Sequence, residues 1–362
     1  MRSKISFAAI SLSLLTILAL ATSWNTANSS QASEIGHTNT THLIADIADT
    51  APEFVLTHSP EKIQGPKKCS ECHDPEIEAW KKTKHHASFK ISRSDEAKAI
   101  LERLGRKNMK KAATGCVDCH YTVGLDRAKK PKAIAGISCE SCHGAAKEWY
   151  DKHQDVKGES PADRQSRLDV CERLGMIRPT NIYGLASNCN SCHTVPNEQL
   201  VITGLHRAGS DGFELVAWSQ GEVRHNLTDV KTKTNREASP ERKRMLYVMG
   251  QIVALEYGLR GYQKATTESD YATKMKARIE KAIAMLNKIQ EKKQTPEVAA
   301  ILAAVQTLKL TIPPAKGFEK IADVVRKKAH DFEENHDGSK LGAIDELIPK
   351  QFKGTIHQPG GV

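Results

Sequence analysis

The sequence predicts a mostly α protein with little regular sheet. It divides into a cysteine- and histidine-rich region and a carboxy-terminal α-helical bundle or hairpin region. Three observations carry this. The pattern Cys-x-x-Cys-His occurs four times, beginning at Cys69, Cys116, Cys139 and Cys189. Aromatic residues make up only 5% of the 362 residues, few for a chain that must fill a core. Beyond Ser239, apolar residues recur at helical spacing.

Cys-x-x-Cys-His is the attachment signal of c-type haem: two thiols add across the vinyl groups and the adjacent histidine reaches the iron. The motifs predict four covalently bound haem c groups, on Cys69 and Cys72, Cys116 and Cys119, Cys139 and Cys142, and Cys189 and Cys192. His73, His120, His143 and His193 are the expected proximal iron ligands. The first region therefore reads as a multihaem cytochrome c domain. Zinc ribbons also use Cys-x-x-Cys pairs, and iron–sulfur clusters use denser cysteine runs. Neither explains a histidine after all four pairs. Four flat apolar macrocycles would also replace the missing aromatic core. Cys171, the ninth cysteine, reads as a buried or inert thiol.

The formal charge is +10. Four haems would add about eight propionate carboxylates, so the assembled protein is expected to be much less basic. No nucleic-acid fold signature accompanies the lysines.

In chain order, residues 1–23 read as a secretory signal peptide, with Arg2 and Lys4 before an apolar run from Ile5 to Ala21. Periplasmic or other export fits, because c-type haem is attached outside the cytoplasm. No later segment approaches a transmembrane length. Residues 24–60 read as a flexible leader, and 61–230 as the tetrahaem domain. Asp74-Pro75-Glu76 predicts a helix start, the helix carrying Ile77, Trp80, His85, His86 and Phe89. A basic helix is expected over 93–112, and helices with loops over 144–170. The helical region, 239–345, is expected to contain four helices. The first follows Ser239-Pro240-Glu241, the second spans about 269–292, the third runs from Thr295-Pro296-Glu297 to about Leu310, and the fourth spans about 318–335. The tail, 346–362, is expected to fray after Pro349.

A second axial histidine makes a haem a low-spin electron-transfer site, whereas an empty position admits small molecules. The candidates outside the motifs are His85, His86, His153, His206 and His225; His330 and His336 look exposed. His85 and His86 face different directions on a helix, so one at most is expected to serve.

Lys68-Cys69-Ser-Glu-Cys72-His73, Trp80-Lys-Lys-Thr83-Lys-His85, Cys116-Val-Asp-Cys119-His120 and Gly136-Ile-Ser-Cys139-Glu140-Ser-Cys142-His143-Gly144 resemble the tetrahaem cytochrome c-554 family. The resemblance covers roughly residues 67–226. In that family three haems have two histidines and the second has an open position. Carried over by position, the first haem would take His153, the third His85 and the fourth His225, with the second five-coordinate. His206 has no clear counterpart and would fall to the second or fourth iron. His86 stands where the family has alanine. The helical region implies a longer sister group.

The leading expectation is a carrier passing electrons between redox proteins, since only 18 residues separate His120 from Cys139 and closely spaced haems conduct. The resemblance implies a hydroxylamine oxidoreductase-like donor, other cytochromes or a quinone-linked acceptor, and a place in hydroxylamine or nitric oxide metabolism. The carboxy-terminal helices would serve docking or a homo-oligomer. The alternative is a haem enzyme acting on a small nitrogen oxide or hydroxylamine at an open second haem, with Glu222, Arg224 and His206 as conceivable groups over the iron. A haem-based sensor or the scaffold subunit of a redox complex is the third.

Overall fold

The local sequence starts most helices visibly. In the computed structural model, which describes residues 59–111, 115–210, 212–227 and 234–358, nearly every longer helix opens on a Ser, Thr or Asn whose side chain accepts a backbone N–H. The expected signal peptide, and the leader up to its last two residues, lie outside the described residues. All described residues belong to the compact unit Glu53–Val362.

The amino-terminal part is a string of short helices: α1 (Pro66–Cys69), α2 (Asp74–Lys81), α3 (Lys84–Ala87), α4 (Asp95–Arg103), α5 (Val117–His120) and α6 (Cys139–His143). The expected helix through His85 and Phe89 is broken. After α2 ends, Thr83 turns extended and its hydroxyl accepts from His86 N at 3.2 Å, capping α3 anew. The basic helix over 93–112 shrinks to α4, capped by Ser94. Between α5 and α6 the chain makes the one small sheet among the described residues. Strands β1 (Thr122–Leu125) and β2 (Pro131–Ala135) pair antiparallel, Gly124 opposite Lys132. Asp126 closes their turn by accepting from Ala128 N and Lys130 N.

Then come α7 (Pro161–Arg173), α8 (Ile182–His193), α9 (Glu198–Ile202) and α10 (Leu215–Ser219). The four expected carboxy-terminal helices are α11 (Pro240–Gln263), α12 (Asp270–Lys292), α13 (Pro296–Val305) and α14 (Phe318–Asn335). Their caps sit at Ser239, Ser269 and Thr295, with Gly317 before α14; α13 stops five residues short of Leu310. A 3-10 stretch, Ser339–Leu347, follows.

The main core is continuous across residue 230. Ile182 and Ala186 of α8, Val201 of α9 and Leu215 and Val216 of α10 are buried in one cluster with Ile252, Leu259, Ile279, Leu286, Ile301 and Phe332. The helix bearing the fourth motif is thus packed directly against the carboxy-terminal helices. Gly250 lets α10 come close to α11: a Cβ there would stand 2.9 Å from Leu215 Cβ. The tail is not frayed over its described part. Lys353 N donates to Ala217 O and Glu222 N to Lys353 O, both at 2.8 Å, which lays the tail along the end of α10. Among the described residues, no helix is long and apolar enough to cross a membrane.

Candidate haem-binding site

The fold brings each motif histidine against one histidine from elsewhere. Ring centroids are 6.1 Å apart for His73 and His153, 6.2 Å for His120 and His206, 6.1 Å for His143 and His225, and 6.2 Å for His193 and His85. Two imidazoles sharing one metal, each nitrogen about 2 Å from it, place their centroids about 6 Å apart. The spacing therefore leaves room for an iron in all four pairs. Among the described residues, no three Cys, His, Asp or Glu side chains converge as a zinc-type ligand set.

The rings are oriented from behind. Nδ1 of His143 lies 2.9 Å from Ile177 O, that of His206 2.8 Å from Arg207 O, and that of His225 2.8 Å from Val223 O. His153 Nδ1 bonds Tyr150 O, and His193 Nδ1 lies 2.8 Å from Ser210 Oγ. A carbonyl only accepts, so each Nδ1 facing one carries the proton and Nε2 is left with its lone pair for a metal. Burial lowers the pKa of His85, against an opposing effect from Glu222, and that of His143. Burial, with His206 nearby, takes His120 down to about 4; burial, with His85 and Arg278 nearby, does the same to His193. Neutral imidazole is the form that binds iron.

The thiols meet across motifs. Cys69 interacts with Cys139, and Cys119 with Cys192. Cys142 is close enough to Cys189 and Cys192 for their charges to interact, and burial pushes it up to about 11. A cavity of about 1060 Å³ runs among His85, His120, His193 and His206, past Cys116, Cys119, Cys142, Cys189 and Cys192. It reaches the upper end of the ~300–1,000 Å³ of single-ligand pockets and touches three motifs. Two buried polar atoms, Oη of Tyr121, which lines the cavity, and Nε1 of Trp149, which packs on His153, find no hydrogen-bond partner among the described residues. Orphaned donors, an apolar cavity and imidazoles paired at the spacing of two ligands on one iron all fit haem.

Two expected pairings are corrected. His85 faces His193 of the fourth motif, not His143 of the third; His225 faces His143, not His193. At the second motif, which the resemblance implied to be five-coordinate, His206 faces His120, one of the two places the sequence left open for it. The reason is long-range packing. Ser88 Oγ donates to His120 O or His85 O, at 2.8 and 2.7 Å, and holds α3 along the second motif. Gly136 lets the α3 backbone pass, since a Cβ there would lie 2.4 Å from His85 O. His153 faces His73 as expected. His86 instead packs against Trp80 at 4.6 Å. His330 packs on Tyr183, and His336 lies 3.1 Å from Glu297. Cys171 is fully buried beside Ala146 and Trp149.

Glu222 Oε1 accepts from Lys84 N at 2.5 Å, so this carboxylate holds the start of α3. Sequence reading missed the work of Glu140. Only 1% exposed, it accepts from Gln64 N at 2.9 Å, Gly65 N at 2.7 Å and Ala146 N at 2.8 Å. It staples the approach to the first motif onto the third. A glutamate inside Cys-x-x-Cys, where the short helix buries that position, was the available signal.

Residues 68–144 match the family model described as Cytochrome c554 and c-prime. Cytochrome c-554 of Nitrosomonas europaea is 26% identical over 138 residues, covering 36% of this chain and 57% of that protein. The chain thus spans little more than half the length of that curated relative. No solved structure matches the chain significantly. The matched stretch holds the first three motifs, in the arrangement just described, and over that stretch the chain is similar to cytochrome c554 and c-prime, with the fourth motif and the carboxy-terminal helices beyond the match.

Proposed function

We propose that the chain is an exported, periplasmic electron carrier with four covalent haem c groups, each held between two histidines. The single observation that carries this is the set of four histidine pairs at 6.1–6.2 Å. Haem iron supplies reversible one-electron chemistry. The protein's part is placement. Main-chain carbonyls and Ser210 fix five of the eight rings, and the cysteines fix the macrocycle edges.

The order in space differs from the order in sequence. Cys69 with Cys139 joins motif one to three; Cys142 near Cys189 and Cys192 joins three to four; Cys192 with Cys119 joins four to two. Charge would travel one, three, four, two. Both ends of that series reach the surface: His73 has a 52% exposed side chain, and His206 adjoins Leu205, which is 64% exposed. Electrons would enter and leave there. His206 opposite His120 favours transfer over catalysis at the second motif.

The partners we propose are redox proteins, with a hydroxylamine oxidoreductase-like donor and a cytochrome or quinone-linked acceptor in nitrogen-compound metabolism. The exported protein, weighed intact, should exceed its polypeptide by four haems. Its oxidised electron paramagnetic resonance spectrum should be low-spin throughout. Fewer haems, or a high-spin signal from about a quarter of the iron, would overturn the reading.

A further inference from the structure

Residue His357 of the carboxy-terminal tail is held next to the backbone that leads into His225. Asn235, 1% exposed, donates through Nδ2 to Arg224 O at 2.6 Å and to His357 O at 2.9 Å. Its own N–H donates to Gln358 Oε1 at 2.8 Å. One buried amide therefore pins the tail to the residue preceding His225, whose ring faces His143. Both pinned residues carry a buried nitrogen with no hydrogen-bond partner among the described residues, Arg224 Nε and His357 Nε2. Arg224 is only 8% exposed. Glu237, the carboxylate whose charge acts on it, is ion-paired with Lys243. A guanidinium removed from water without a matched anion is costly, and so is a buried ring nitrogen left bare.

We propose that Arg224 and His357 form the cradle for a propionate of the haem at the third motif, so that the tail is part of that cofactor site. The inference rests on the reading that Cys139, Cys142, His143 and His225 hold a haem. A planar guanidinium fork matches a carboxylate, and the second nitrogen completes the contact. Positive charge at this edge favours the reduced iron over the more positive oxidised one, and raises that haem's potential.

The test is a redox titration of the full, haem-loaded protein carrying Arg224→Leu, Arg224→Lys or His357→Leu, with haem counted by mass. Leucine at either position should lower one of the four midpoint potentials, the same one in both variants, and change one set of low-spin resonances. Lysine at 224 should restore most of the Arg224→Leu shift. Four haems with all four potentials unmoved in either leucine variant would overturn the cradle and leave the carrier reading intact. A mass short of four haems in the unsubstituted protein would overturn the carrier reading itself. Should Arg224→Leu fail to mature, Arg224→Lys and His357→Leu still decide, by whether they disturb one haem's resonances or none.

Discussion

His206 and Glu140 show how much one side chain settles here. His206 is the ring that faces the second motif's histidine. His206→Ala should convert about a quarter of the iron from low to high spin, read in the resonance spectrum of the oxidised protein, with the other haems unchanged. Glu140 is a different kind of residue, because its carboxylate satisfies three main-chain donors at once. Glu140→Ala would strand those donors, each left unsatisfied costing ~1–3 kcal/mol. A loss of about 3 kcal/mol is expected, toward the large end for a single substitution, measurable by thermal unfolding. Glu140→Gln, which keeps an acceptor oxygen, should lose less.

At the scale of elements, the helix starts were readable and the ends less so. Ser239-Pro240 and Thr295-Pro296 announce α11 and α13 because a capping side chain and a proline free of any donor both act within one turn. The break between α2 and α3 was written in Thr83, but a threonine inside a helical pattern is ambiguous until its hydroxyl finds His86 N. The ring pairings were not legible. They depend on Ser88, Gly136 and Asn235, whose roles are contacts made far along the chain. The tail was unreadable for the same reason, since main-chain bonds from Lys353 leave no side-chain signature. Close packing between elements gives its own prediction. Gly250→Ala would push a methyl to 2.9 Å from Leu215 and force α10 off α11. The expected cost is about 1–3 kcal/mol in a thermal melt, with haem content unchanged.

For the whole molecule, the sequence-based division at about residue 230 does not mark a division of the core. Ile182 and Ala186, on the helix of the fourth motif, are buried with residues of α11 to α14. A chain ending at residue 230 would expose that shared surface and lose the tail that ties α10. It should be degraded or under-loaded on export; full-length levels of a four-haem fragment would contradict this. The fold class itself was legible, because four motifs on short helices and a set of amphipathic helices leave little room for sheet. The architecture joining the two was not, since no single segment records which face of α8 is covered.

The histidine pairs also have an ordering along the chain. All four begin before residue 144 and finish at or after residue 153, so every one of them spans the interval between. Each closes a loop of about 80 to 110 residues, and a cross-link restrains an unfolded chain more the longer the loop it closes. A protease cut at Lys147, inside that interval, would therefore sever the backbone without separating the halves. Four iron bridges would still clasp the two fragments, and only a denaturant or a competing ligand strong enough to strip the distal imidazoles should let them drift apart on a sizing column.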